Sequence, residues 1–189
     1  RVLGFAQEGL TQYLLMTETP GSSAEDEVQT TESEQVISRL AEALHVVHGV
    51  NISACPFDMR LDVKLAEARA RIDSGLVDEG DFEGANKGRS AMDIYRELVA
   101  TRPNDEELIF THGDYCLPNI MLKDGAVSGF LDLGRAGVAD RYTDLALAAR
   151  SIRHNTGDEL FVDLFFEAYG LGEVDWRKVD YYILLDELF

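Results

Sequence analysis

The chain has 189 residues, 46% of them apolar, which is enough for a folded core in one domain of ordinary size. Its 17 basic and 35 acidic residues give a net charge of −18, which argues against nucleic acid and anionic membrane surfaces as partners and favours a cationic ligand. The two cysteines, Cys55 and Cys116, form neither a zinc-binding nor a disulfide pattern. The sequence shows no signal peptide and no apolar run of the ~18 residues that a membrane helix needs. We therefore expect a cytoplasmic protein.

The beginning of the chain predicts a β-hairpin, a joint and a helix. Residues 2–5 and 12–16 are β-type runs on either side of a turn, and because the chain opens on a strand-like run rather than on Met, we expect further residues before it. Residues 17–23 (TETPGSS) are expected to form a flexible joint, since Pro and Gly exclude regular structure. Thr31 and Glu34 then form a capping-box pattern ahead of apolar residues at helical spacing, which predicts the first long helix.

Two more helices are predicted before the pattern changes. Gly49 ends the first long helix, and Asp58 is expected to cap a second one that ends near Gly75. Ser90 is expected to cap a third helix, which stops before Pro103.

The next part of the chain has the alternation typical of strands, in LIFTH, NIMLK and AVSGFL, with DG between the last two. From Asp144 to the end the apolar residues return to helical spacing, in about three segments. The whole pattern predicts an α+β fold that is mostly helical.

The DG dipeptide is a strong signal for a two-residue hairpin turn of type I′. Such a turn places Asn119 opposite Phe130, with Asp132 two residues further along the same face, about 7–8 Å away as a diagonal neighbour. Asp114 lies upstream, in a loop that returns to the same end of the hairpin. The pattern therefore predicts two carboxylates and an amide at the open end of one hairpin.

This set of side chains is suited to phosphoryl transfer. The oxygens of Asn119 and Asp132 are ligands that Mg²⁺ prefers, and Mg²⁺ usually combines one or two protein ligands with substrate phosphates. A separate carboxylate, Asp114, can then accept or orient the proton of the attacking hydroxyl. His112 is interpreted as a residue that braces the loop, and Cys116 as part of the scaffold.

The motifs HGDYCLPN and DLGR, with Gly where protein kinases carry Arg after the His, resemble the aminoglycoside phosphotransferases, and among them the aminoglycoside 3′-phosphotransferases. The resemblance runs through essentially the whole chain. Its further supporting segments are CPFD (55–58), GLVDEGDF (75–82), SGFLDLGRAGVADRYTDLALAAR (128–150) and LLDELF (184–189). It implies a protein-kinase-like fold, in which residues 1–16 are the remnant of an N-terminal β lobe, residues 17–23 the interlobe hinge, and residues 24–189 the helical C-terminal lobe that carries the catalytic and substrate-binding groups.

The resemblance also implies an activity and a set of roles. The activity is phosphorylation of the 3′-hydroxyl of aminoglycoside antibiotics by ATP and Mg²⁺, with GTP as the alternative donor, which confers resistance. Asp114 would be the catalytic carboxylate, Asn119 and Asp132 the metal ligands, and backbone groups near Thr17 and Thr19 would meet the adenine.

The family's polycationic substrates account for the acidity of one part of the chain. Asp78, Glu79, Asp81 and Glu83 crowd one short loop, for which a solvated acidic face is the alternative interpretation. The residues that the resemblance assigns to the aminoglycoside are Asp78, Asp81, Glu83, Arg135, Arg150, Glu187 and Phe189, the last through its terminal carboxylate.

Three alternatives are weighed against this function, and the second of them, a metallophosphoesterase, is set aside. A choline-type or other small-molecule kinase shares HGDxxxxN but is not expected to share the LLDELF ending. A metallophosphoesterase also uses Asp and Asn, but usually recruits several His ligands, and only His154 follows His112. The third alternative is a fragment that binds aminoglycosides without turnover: the residues before the joint contain neither a glycine-rich loop nor a Lys–Glu pair, so this chain alone is expected to be inactive.

Overall fold

The structure, a computed structural model, describes residues 1–29, 32–82 and 84–189 and has the α+β architecture that the sequence predicts. The helices within these ranges are α1 (Ala24–Val28), α2 (Ser33–His48), α3 (Leu61–Asp73), α4 (Ala91–Thr101), α5 (Tyr142–Thr156), α6 (Glu159–Tyr169) and α7 (Trp176–Asp186). The strands are β1 (Val2–Glu8), β2 (Thr11–Met16), β3 (Ser22–Ser23), β4 (Leu108–Thr111), β5 (Ile120–Lys123), β6 (Ala126–Phe130) and β7 (Gly137–Asp140). In the described part of the chain, no helix is both long enough and apolar enough to cross a membrane.

The predicted hairpin at the beginning of the chain is confirmed and is longer than expected. β1 and β2 pair antiparallel, with Glu8 opposite Thr11 beside the turn. Apolar side chains on both strands are exposed, and Phe5 and Leu15 are each 63% exposed. The hairpin therefore contributes little to the helical core.

The joint at residues 17–23 is more ordered than predicted. Ser22 and Ser23 form the short strand β3, which pairs antiparallel with Leu122 and Met121 of β5. A side chain on Gly21, whose φ is +114°, would lie 1.9 Å from the Leu122 carbonyl oxygen. The prediction of a joint without regular structure is thus wrong at its end, because the partner strand that orders it comes from a distant part of the sequence.

The starts of three helices test the predicted caps. Ser90 caps α4 as predicted, since its hydroxyl accepts a hydrogen bond from the Asp93 amide at 3.1 Å. Asp58 does not cap α3: Arg60 is the N-cap, and the Asp58 carboxylate accepts from the Arg60 amide at 3.1 Å, in the turn before the helix. Thr31, which was predicted to cap α2, lies outside the described residues.

The core is built around α5, which packs against α6 and α7, while α6 packs against α2. Leu145, Ala149 and Ile152 of α5 are fully buried, at 0% exposure. Asp144, in the first turn of the same helix, is also 0% exposed. A carboxylate at this depth requires hydrogen-bond partners, and those partners come from the candidate site.

The second hairpin has the predicted turn but not the predicted register. Asp124 and Gly125 have φ values of 53° and 73°, as a type I′ turn requires. The pairing is irregular between Met121 and Leu122, so that Ile120, rather than Asn119, lies opposite Phe130. Only the turn is encoded locally, and a bulge of one residue further along a strand shifts every pair beyond it.

The pairing of β4 with β7 brings two distant loops together. Thr111, the last residue of β4, lies opposite Gly137, the first residue of β7. The loop that follows Thr111 and the turn that precedes Gly137 therefore leave the same end of this small sheet. They contain HGDYCLPN and DLGR.

Candidate active site

The HGD segment is held against the DLGR turn by a close backbone contact. Gly113 has a φ of +85°, and a Cβ on it would lie 2.1 Å from the Arg135 carbonyl oxygen. Any larger residue would therefore push the two segments apart, in addition to the strain of a left-handed conformation. The glycine of the motif is needed so that Asp114 can lie beside Arg135.

The buried carboxylate of Asp144 holds the HGD loop through hydrogen bonds. Asp144 accepts hydrogen bonds from the amides of His112 at 2.7 Å and Gly113 at 2.8 Å, and its Oδ2 lies 3.0 Å from Nε2 of His48. Nothing in the sequence pattern indicated this role. Asp144 appeared only as the start of a helical segment, and nothing in the local pattern shows that it contacts a loop 31–32 residues earlier.

His112 has the bracing position that the sequence predicts. Its side chain is buried, and the Asp114 amide donates a weak hydrogen bond to Nδ1 at 3.3 Å. Burial lowers the pKa of His112, which favours the neutral ring that can accept this bond. The contact of His112 with the Asp114 amide is within the loop.

The Asp114 carboxylate is held by two donors and remains partly open. Its Oδ2 accepts from Nδ2 of Asn119 at 3.0 Å and lies 3.2 Å from Nη2 of Arg135. The side chain of Asp114 is 18% exposed. It is thus fixed in direction but accessible to a hydroxyl group.

The two predicted metal ligands have the oxygens that Mg²⁺ needs. Nδ2 of Asn119 is used by Asp114, which leaves Oδ1 without a hydrogen-bond partner among the described residues. Asp132 is exposed, has a left-handed backbone with φ 52°, and forms no side-chain hydrogen bond or ion pair within the described ranges. The Asn119 carbonyl accepts from the Leu131 amide at 2.8 Å, which joins the two segments.

This donor set fits a metal ion that is shared with a ligand. In the described part of the chain, no group of three or more His, Cys, Asp or Glu side chains could enclose a metal. One free amide oxygen and one free carboxylate match the ligand number that Mg²⁺ takes from a protein when phosphates supply the others.

The two threonines predicted for the adenine lie at the start of the joint. The Thr17 amide donates to the Arg1 carbonyl at 2.9 Å, so Thr17 continues the first hairpin. Thr19 packs on β6: a Cβ on Gly129 would lie 2.6 Å from Cγ2 of Thr19, and the hydroxyl of Ser128 donates to the carbonyl of the next residue, Pro20. The joint is therefore attached to the strand that leads to Asp132.

A cavity of about 750 Å³ lies between the acidic loop and the end of α7. It brings together the described residues predicted for the substrate, with the exception of Arg135: Asp78, Asp81, Arg150, Glu187 and Phe189. Glu83 lies outside the described residues. Glu79 has a structural contact instead, because its carboxylate accepts from the Ala91 amide at the start of α4 at 2.7 Å.

Asp186 connects this cavity with Asp114. Its two oxygens lie 2.7 Å from Nη1 of Arg135 and 2.6 Å from Nη2 of Arg150, and Arg135 also contacts Asp114. Both arginines that were predicted to contact the substrate are thus paired with an acidic residue that the sequence analysis did not single out. The signal was present in LLDELF, where Asp186 precedes Glu187 directly.

These elements are those of a phosphotransferase: a loop carboxylate, a hairpin end with a free amide oxygen and a free carboxylate, and an acidic cavity. Residues 1–182 match the model of the phosphotransferase enzyme family, and the chain belongs to this family. It is 42% identical over its whole length to an aminoglycoside 3′-phosphotransferase of Niallia circulans, and 41% identical to one of Enterococcus faecalis, covering 72% of each. The family resemblance predicted from the motifs is confirmed.

Solved structures confirm the fold. The crystal structure of an aminoglycoside 3′-phosphotransferase of type VIII superposes with a TM-score of 0.91 at 33% identity, and the match covers all of this chain and 73% of that one. An aminoglycoside phosphotransferase from Streptomyces rimosus in complex with ADP and streptomycin gives 0.86 at 27% identity, with 100% and 74% covered. A choline/ethanolamine kinase family protein from Mesorhizobium loti, 17% identical with a TM-score of 0.58, shares the kinase-like fold alone.

Proposed function

We propose that the protein transfers the terminal phosphate of ATP to the 3′-hydroxyl of aminoglycoside antibiotics and so confers resistance to them. The observation that carries the proposal is the chain of contacts from Asp114 through Arg135 to Asp186. These contacts support the proposal because they link the Asp114 carboxylate, through Arg135, to Asp186 in the wall of a cavity lined by acidic side chains.

In this reaction Asp114 orients the sugar hydroxyl and accepts its proton. Its position is fixed by Asn119 and Arg135, which matters more than its basicity because the transition state of phosphoryl transfer is loose. Asn119 and Asp132 would hold Mg²⁺, which neutralises charge on the phosphates when it is bound. Backbone groups near Thr17 and Thr19 would contact the base of the nucleotide, with GTP as the alternative to ATP.

The acidic cavity accounts for the choice of acceptor. Aminoglycosides are polycations, and Asp78 and Asp81 on the acidic loop and Glu187 after α7 supply opposite charge. A volume of about 750 Å³ suits a molecule of several rings, since sites for such ligands span ≈ 300–1,000 Å³. The relative from Streptomyces rimosus, whose structure contains ADP and streptomycin, supports both substrate classes.

The alternatives are less well supported. A choline-type kinase needs a small site for one quaternary ammonium group, and its representative, at 17% identity, shares less sequence with the chain than the aminoglycoside 3′-phosphotransferases do, at 42% and 33%. A metallophosphoesterase needs several metal-binding His, yet the described residues contain no cluster of that kind. The third alternative is a fragment that binds the drug without turnover. We propose that residues 24–189 bind the aminoglycoside. Transfer also needs groups that position the phosphates, and residues 1–16, which we assign to a β lobe, do not contain them.

The test uses the protein expressed from its complete gene, with ADP release as the signal. We expect release that depends on kanamycin, and a product with phosphate on the 3′-oxygen by phosphorus NMR. A 3′-deoxy aminoglycoside is the matched control, because it keeps the ammonium groups and lacks the acceptor: it should inhibit competitively and give no product. Equal turnover with choline, or turnover of the 3′-deoxy compound, would contradict the proposal.

A further inference from the structure

Arg71 occupies an unusual position for a cation, since it lines the cavity that we propose for a polycation. It lies in the last turn of α3, which makes no contribution to the site in the sequence analysis. Among the described residues it forms no ion pair with an acidic side chain, unlike Arg150 on the opposite part of the wall, which is paired with Asp186. Positive charge by itself would oppose the binding of a polycation at this position.

The hydrogen bonds of Arg71 all go to main-chain oxygens. Its Nε donates to the Leu188 carbonyl at 2.8 Å, and its Nη2 donates to the Phe189 carbonyl at 3.0 Å. A longer bond of 3.4 Å joins Nη2 to the carbonyl of Leu76, at the beginning of the acidic loop. One planar guanidinium thus connects α3, the acidic loop and residues 187–189, for which its fixed fork of donors is well suited.

Lys64, a second cation of α3, contacts the aromatic ring of Phe189 in the same segment. Nζ of Lys64 lies 3.3 Å from the centre of the Phe189 ring, and the guanidinium of Arg71 lies 5.5 Å from it. Burial lowers the pKa of Lys64, whose side chain is 13% exposed. The segment is fixed at its other side as well, because Asn86 donates to Oε1 of Glu187 at 3.0 Å.

We propose that Arg71 is a positioning residue for the cationic substrate, which holds residues 187–189 against α3 so that Glu187 forms part of the cavity wall. The inference rests on the proposed function for the identity of the substrate, but not for the contacts themselves. Arg71 acts through Glu187 and the backbone, and not through the reacting atoms.

The direction of the effect separates this role from simple electrostatics. If Arg71 only added positive charge to the cavity, then Arg71→Ala would tighten the binding of a polycation. If it positions residues 187–189, the same change weakens binding, because Glu187 loses its fixed place. A general loss of stability would affect the drug and the nucleotide alike.

The experiment measures KM and kcat for kanamycin and ATP with the protein from its complete gene, and amide hydrogen exchange at Leu188 and Phe189. For Arg71→Ala we expect at least a tenfold rise in KM for kanamycin, a twofold change at most in kcat and in KM for ATP, and at least tenfold faster exchange at both amides. Arg71→Lys, which keeps the charge but loses the fork, should give intermediate values and serves if the alanine variant does not fold. Arg69→Ala, on the exposed side of the same helix, is the matched control and should behave as the wild type.

Three results would overturn the inference. A lower KM for kanamycin in Arg71→Ala would show that charge dominates. A higher KM with unchanged amide exchange would make Arg71 a direct contact, and faster exchange with an unchanged KM would remove residues 187–189 from the drug site. Failure of the proposed function is distinguishable from these three results, because the wild type would then show no turnover that depends on kanamycin. Amide exchange at Leu188 and Phe189 would still show whether Arg71 holds this segment.

Discussion

The loop around Asp114 and the wall of the acidic cavity are built in opposite ways. His112, Gly113 and Asp144 are buried, and the amides of the loop are satisfied by a carboxylate on a central helix. Asp78 and Asp81 in the cavity wall are exposed. The carboxylate of Asp78 accepts a hydrogen bond of 2.9 Å from the amide of Gly80, only two residues further along the same loop. The loop that carries the proposed catalytic carboxylate is thus fixed by the core, while the acids proposed to bind the cation lie at the surface.

The difference reflects the demands of two tasks. Transfer of phosphate requires atoms held in line, and good positioning can supply ≈ 7–11 kcal/mol of barrier reduction. Attraction of a flexible polycation needs several acids at suitable distances, none of which has to be placed so closely. Arg135 joins the two regions, because it contacts both Asp114 and Asp186.

The largest effect is expected for Asp114→Ala, which should lower kcat by about 10²–10⁴-fold, as loss of a general base does. Affinity for the nucleotide should stay close to that of the wild type, because the carboxylate contacts the acceptor rather than the phosphates. Steady-state kinetics and nucleotide titration measure the two quantities. Asp114→Asn keeps the size of the side chain and an oxygen that can orient the hydroxyl, so it should be less impaired than Asp114→Ala. Substantial turnover in Asp114→Ala would remove Asp114 from its role.

Asp144→Ala tests whether the core really fixes the loop. The amides of His112 and Gly113 would be buried without an acceptor, so we expect the free energy of unfolding to fall by about 2–5 kcal/mol. Urea denaturation measures it. Asp163→Ala, an exposed acid on α6, is the control and should change stability by about 0.5 kcal/mol or less. Equal losses in the two variants would mean that the anchor is unimportant.

The candidate site residues that the sequence indicated are those whose pattern is local. HGDYCLPN, the DG turn and the DLGR segment lie within a short stretch, so their residue types and spacing already indicated Asp114, Asn119 and Asp132. Asp144 and Asp186 were missed because their roles depend on packing between helices far apart in the chain. The register of the hairpin failed for the same reason: the joint that contacts Gly129 and Ser128 comes from the other end of the sequence.

Asp132→Ala should weaken Mg²⁺-dependent nucleotide binding, with a smaller loss for Asn119→Ala, since a neutral amide contributes less charge. An interaction with a charged group contributes about 1.5–3 kcal/mol, which corresponds to about tenfold or more in Kd. Calorimetric titration with Mg·ATP, repeated with ATP and a chelator, tests this. Affinities equal to that of the wild type in both variants would show that the hairpin is not the metal site.

The smallest effect is expected from salt, and it should act on only one of the two regions. The acids of the cavity wall are exposed or half-buried, so their attraction for ammonium groups is screened over a Debye length of ≈ 8 Å at physiological ionic strength. Since each exposed pair contributes about 0.2–1 kcal/mol, raising NaCl should increase the KM for kanamycin by about fivefold. The buried contacts of Asp144 should be insensitive, so the free energy of unfolding should not fall in parallel. Glu187→Gln should reduce the slope of KM against salt, because one of the screened charges is gone. Two results would contradict this comparison. A KM for kanamycin that does not respond to salt would show that the cavity acids are not exposed to screening, and a free energy of unfolding that falls as NaCl rises would show that the buried contacts of Asp144 are screened too.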